Sequence, residues 1–145
     1  MILFCDTSAL LKLYVAEAHS AAIKALAKEA EAVAVCRIAW AEAFAALARR
    51  AREMPADAPA VAAVKRSLAA DWPRYLVIDV TQDMVERAGD FADTFALRGY
   101  DSVQLAAAHL AAERAQAAIT FASFDGRLNK AARVLGMMAP FAEAP

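Results

Sequence analysis

Histidine, cysteine and glycine are scarce in this chain, and each scarcity closes off a class of function. Two histidines stand among 145 residues. His19 and His109 sit alone in helical stretches, with no partner at ligand spacing, so a zinc-type site has no framework. The two cysteines, Cys5 and Cys36, form no C-x-x-C and lie inside apolar, strand-like runs. They read as small reduced core residues, and the want of a disulfide framework fits a cytoplasmic protein. The four glycines are scattered. The turn Asp6-Thr7-Ser8-Ala9, where a dinucleotide-binding fold would need glycine, has none. Charge of one sign is also missing. The formal net charge is −1, so nucleic-acid contact would have to come from a local patch. No basic leader opens the chain, Asp6 and Lys12 interrupt its apolar start, and no run is apolar and long enough to span a bilayer. A membrane is not an expected partner.

What the chain has in excess is apolar surface. The hydrophobic fraction is 61%, against about half in an ordinary globular domain. Such a chain is expected to cover part of that surface with a partner or a second copy of itself. Its length suits one domain over residues 1–145 with a proper core.

Apolar runs bounded by helical patterns alternate along the sequence. Strands are expected over 2–5, 32–36, 75–80 and 117–121, with a short edge strand within 136–141. Helices are expected over 8–16, 20–30, 38–52, 60–70, 81–97, 101–115 and 126–135. Strands separated by helices imply an α/β fold with parallel pairing.

Four carboxylates occupy marked positions. Asp6 ends the first strand, Glu42 follows the second by a few residues, Asp101 opens a helix, and Asp125 comes just after the strand ending at Phe121. Singly, each Asp reads as a helix N-cap, and Asp101 with Gln104 has the spacing of a capping box. Glu42, flanked by Trp40 and Phe44, either faces solvent together with Arg49 and Arg52 or turns inward to a site. Taken together the acids read differently. Residues that follow the strands of a parallel sheet gather at one edge, where ligands bind. Carboxylates crowded there raise one another's pKa unless a cation joins them. All-oxygen donors suit Mg2+ or Mn2+, and such a site supports phosphodiester hydrolysis. A receiver-type phosphoacceptor domain would pair acids after its first strand and place a lysine after its last, and this chain has neither.

Basic residues lie near these acids. Arg98, Arg127 and Lys130 are candidate phosphate contacts or, with Arg133, solvated helix faces. Arg49, Arg50 and Arg52 read as a cluster favoured by a helix C-terminus.

Four segments together resemble the PIN domain, and more narrowly a toxin of the VapC type. They are Asp6-Thr7-Ser8-Ala9-Leu10-Leu11-Lys12-Leu13, the helix around Glu42, Tyr100-Asp101-Ser102-Val103-Gln104-Leu105-Ala106-Ala107-Ala108, and Ser123-Phe124-Asp125-Gly126-Arg127-Leu128. The resemblance covers nearly the whole chain. It implies a three-layer α/β fold with a short parallel sheet, a metal-dependent ribonuclease, a homodimer, and a small antitoxin whose tail enters the acidic pocket. By position, Asp6, Glu42, Asp101 and Asp125 would coordinate the metal, and Ser8 and Ser123 would support them. Gln104 stands where many relatives have His. A non-catalytic PIN-like binding module is the alternative.

Overall fold

The computed structural model describes residues 1–141. Its centre is a four-stranded parallel sheet of β1 (Ile2–Cys5), β2 (Ala32–Cys36), β3 (Leu76–Ile78) and β4 (Ile119–Ala122), in the order β3-β2-β1-β4. Ile2 pairs with Ala32 on one side and Ile119 on the other, and Ala34 pairs with Leu76. The first strand is therefore central, and the chain adds neighbours to it on both sides. That makes the C-terminal edge between β1 and β4 a switch point, where loops diverge and leave a crevice.

Seven helices cover the described sheet: α1 (Thr7–Lys12), α2 (Ser20–Glu29), α3 (Ala39–Glu53), α4 (Ala58–Asp71), α5 (Gln82–Phe95), α6 (Gly99–Ala115) and α7 (Gly126–Val134). Successive residues of a strand face opposite sides, and two cores follow from β1 alone. Ile2 and Phe4 pack with Met84, Leu105 and Leu128 from α5, α6 and α7. Leu3 and Cys5 pack with Leu10, Ile23, Ala43 and Leu68 from α1 to α4. Every residue of β1 and β4 is buried, as a strand covered on both faces must be. Phe4 stacks on Phe121 across the pair at 5.7 Å between centroids.

The α/β architecture, the parallel pairing and the three layers agree with the reading of the sequence, while several ends shift. The first helix stops at Lys12 rather than residue 16. Lys12 turns back to Glu17 at 3.1 Å, and the Ser20 hydroxyl accepts from Glu17 N–H and donates to the Val15 carbonyl, so side chains organise a loop there. The third strand has three residues, not six. Within 136–141 only a single bridge forms, Met138 to Thr120. Both cysteines are buried and free, and no helix among the described residues is long and apolar enough to cross a membrane.

Candidate active site

The chain leaves β1 at Asp6 and enters α1 at the next residue, which fixes the carboxylate at the sheet edge. Its Oδ1 accepts from the Ala9 backbone N–H at 2.9 Å and from the Ser8 hydroxyl at 2.8 Å, and the Ser123 hydroxyl reaches it from the end of β4. Asp6 is thus the N-cap of α1, yet it also lines the cleft that opens above the sheet. Only 8% of the residue is exposed. Burial pushes its carboxyl above the usual carboxylate range, against the pull of those three donors, and the charge of Asp101 adds to the rise.

Glu42 faces inward. One turn into α3, its Oε1 accepts from the Thr7 hydroxyl at 2.7 Å and from Gln104 Nε2 at 2.8 Å, and Gln104 Nε2 also donates to Thr7 Oγ1 at 3.1 Å. Three elements, α1, α3 and α6, meet in this clamp. Gln104 is 3% exposed, and its Oε1 has no hydrogen-bond partner among the described residues. An unmet acceptor at this depth is costly, so the clamp holds Gln104 at the expense of half its amide. The Arg49 and Arg52 face does not carry Glu42 outward with it, and Arg49 pairs instead with Glu53 at 2.8 Å.

Asp101 is not a cap. The sixth helix begins two residues before it, at Gly99, with Arg98 in the N-cap position and no side chain capping. The first turn is closed by Ser102, whose hydroxyl donates to the Gly99 carbonyl at 2.7 Å. The capping-box reading of Asp101 with Gln104 fails for the same reason, since Gln104 reaches across to Thr7 and Glu42. Asp101 accepts no side-chain bond from the described residues. Partial burial, then Asp125, then Glu42 raise its carboxyl above the usual range, and Arg98 draws it back down. Asp125 is an exposed residue that caps α7, accepting from Leu128 N–H at 3.1 Å, while its own N–H donates to Ser123 Oγ at 3.1 Å.

The four acids of the sequence reading line one cleft of about 480 Å3, with Thr7, Ser8, Gln104 and Phe124 completing the wall. Phe124 is held by His19 and Phe141, at 5.0 and 4.8 Å between centroids, and lies beneath the Lys12 ammonium. The donor set is all oxygen and anionic, the chemistry of a hard divalent cation. Among the described residues no three His, Cys, Asp or Glu side chains stand together as a preformed metal cage. Mg2+ does not need one, because it is commonly held by one or two carboxylates and keeps several waters. The residues fit that mode of binding, and the Asp125 and Glu42 charges that add to the burial-driven rise at Asp101 are ones such an ion would offset.

The basic candidates divide. Arg98 and Arg127 line a recess shared with Asp101 and Asp125, and the Arg98 charge acts on Asp101. Lys130 is exposed and lines none of these recesses. Arg133 is committed elsewhere, donating to the Ala139 carbonyl at 2.6 Å. Thr7 was missed in the sequence. Its place directly after a strand-end acid was the available signal, but a hydroxyl there reads equally as a helix start.

Comparison with known proteins agrees with the fold. A family model described as PIN domain matches residues 3–134. Two curated proteins of Mycobacterium tuberculosis, ribonuclease VapC45 and ribonuclease VapC49, are each 30% identical over 135 residues, covering 93% of this chain and 92% of theirs. A solved toxin–antitoxin complex from Klebsiella pneumoniae contains a chain of the same fold. Its TM-score is 0.66 at 18% identity, over 98% of this chain and 99% of that one.

Proposed function

The chain belongs to the PIN domain family, and from that premise we propose that it is a Mg2+- or Mn2+-dependent ribonuclease, the toxin of a toxin–antitoxin pair. The observation that carries the reading is the meeting of Asp6, Glu42, Asp101 and Asp125 in one cleft at the switch point of the sheet. Asp6, Glu42, Asp101 and Asp125 would hold the divalent cation, which would supply charge to offset a phosphate and Lewis acidity for activating water. Asp6 offers a carboxylate fixed by Ser8, Ser123 and the start of α1. Glu42 offers one fixed by Thr7 and Gln104, so neither needs to reorganise when the substrate arrives. Asp101 and Asp125 stand on the open side, beside Arg98 and Arg127, which are free to hold the flanking phosphates of the strand.

The same acidic cleft suits the tail of a small antitoxin carrying Arg or Lys, whose charge would stand in for the cation. The named relatives and the toxin–antitoxin complex support this partner. The apolar excess of the composition supports a homodimer, acting as a single domain per copy in the cytoplasm. A non-catalytic module would keep the fold but would not need four acids in one cleft. Purified chain should cut single-stranded or loop RNA with Mg2+ or Mn2+ and stop when EDTA is in excess. Cleavage that persists in EDTA would refute the metal-dependent reading.

A further inference from the structure

The open side of the cleft continues into a second recess that the acids alone do not explain. Arg98, Gly99, Tyr100, Asp101 and Val103 line a cavity of about 610 Å3. It shares Asp101 with the acidic cleft, and it shares Arg98 and Asp101 with the recess that takes in Asp125 and Arg127. Three recesses therefore adjoin around one carboxylate. Tyr100 is 69% exposed. Among the described residues no ring packs on it and nothing bonds its hydroxyl. The chain treats its other surface aromatics differently, since Trp40 is stacked on Phe44 at 4.6 Å and braced edge-on by Trp72. A ring left bare in the first turn of α6, next to a cleft acid and two residues from the exposed Arg98, has the make-up of a single-strand binding surface. Such surfaces alternate aromatic faces for bases with cations for phosphates.

We propose that Tyr100 is a base-stacking platform: an unpaired RNA base next to the phosphate at the acids lies on its ring, and Arg98 meets the backbone beside it. This rests on the ribonuclease reading above and adds the substrate's position to it. A second copy of the chain is the poorer occupant. Packing protein over this recess would take Arg98, Arg127, Asp101 and Asp125 out of water together, and the desolvation of four charges costs more than the ring repays.

The test uses a short unstructured RNA with one mapped cut, and variants of it with an abasic residue walked across the positions flanking that cut. Wild type, Tyr100→Phe and Tyr100→Ala are compared, with melting curves to show that all three are folded. Wild type and Tyr100→Phe should lose kcat/KM on the order of tenfold at one flanking abasic position, mainly through KM. Tyr100→Ala should lose a similar factor on intact RNA and nothing further at that position. Equal abasic penalties in wild type and Tyr100→Ala, or an unchanged kcat/KM for Tyr100→Ala on intact RNA, would overturn the platform and leave the ribonuclease standing. If Tyr100→Ala cuts every substrate equally poorly and light scattering shows a changed oligomer, the ring is a contact between copies and the proposal fails. A wild type that cuts no RNA with either metal removes the ribonuclease reading itself, and this inference with it.

Discussion

The two sides of the acidic cleft are built differently. On one side Asp6 and Glu42 are braced by Ser8, Ser123, the Ala9 N–H, Thr7 and Gln104. On the other, Asp101 carries no such brace among the described residues and Asp125 is an exposed cap, with Arg98, Arg127 and Tyr100 exposed around them. The contrast separates two demands on one site. Groups that must stand still are each fixed by hydrogen bonds from two neighbouring elements. Groups that must admit a long, charged strand are left open to water, with cations in reach.

The largest effect expected from breaking this contrast is on activity. Asp6→Asn keeps the cap, because Asn caps a helix about as well as Asp, and Asp101→Asn touches no cap at all. Each should lower RNA cleavage by roughly 10^3-fold or more, with the far-ultraviolet dichroism of wild type. If Asp101→Asn stayed near wild-type activity, the open side would not belong to the site.

A smaller effect should come from the brace. Gln104→Leu leaves Glu42 with Thr7 alone and should reduce kcat by about 10–100-fold, the usual effect of removing an outer hydrogen-bond partner. Gln104→His, which restores a donor, should recover most of it. Equal losses for both variants would mean that Gln104 serves packing only.

The smallest effect separates the charges without substrate. Burial raises the Asp6 carboxyl, and burial with Asp125 and Glu42 raises that of Asp101 above its ordinary value of 3.8. A carboxyl with a raised folded pKa holds its proton more tightly in the folded chain. Its favourable contribution is therefore complete below the unfolded pKa and is lost as pH rises through the folded one. In EDTA, Asp101→Asn should melt above wild type by a few degrees near pH 7, and the gap should close toward pH 4. A gap that does not change with pH would point to a cause other than this charge.

Much of this layout was legible in the sequence, for physical reasons. Short apolar runs each ending at an acid placed Asp6 and Asp125 at the sheet edge. Parallel pairing, itself implied by the alternation of strands and helices, then brought their neighbours together. The inward turn of Glu42 was not legible, because a helix position shows its face only when its partners are known. Those partners, Thr7 and Gln104, lie 35 and 62 residues away in sequence. Asp101 misled as a cap because Gly99 and Tyr100 read as a stop, whereas Ser102 bonding back to the Gly99 carbonyl lets the helix start earlier. The early end of α1 had no proline or glycine to announce it.

The central claim is that the four acids share a cation. It is tested most directly by melting wild type and Asp101→Asn at neutral pH, in EDTA and in Mg2+. With the ion about a hundredfold above its Kd, mass action should stabilise wild type by about 2.7 kcal/mol, while Asp101→Asn, starting higher in EDTA, should respond little or not at all. Melting temperatures that are the same for both chains in both conditions would contradict a shared metal site.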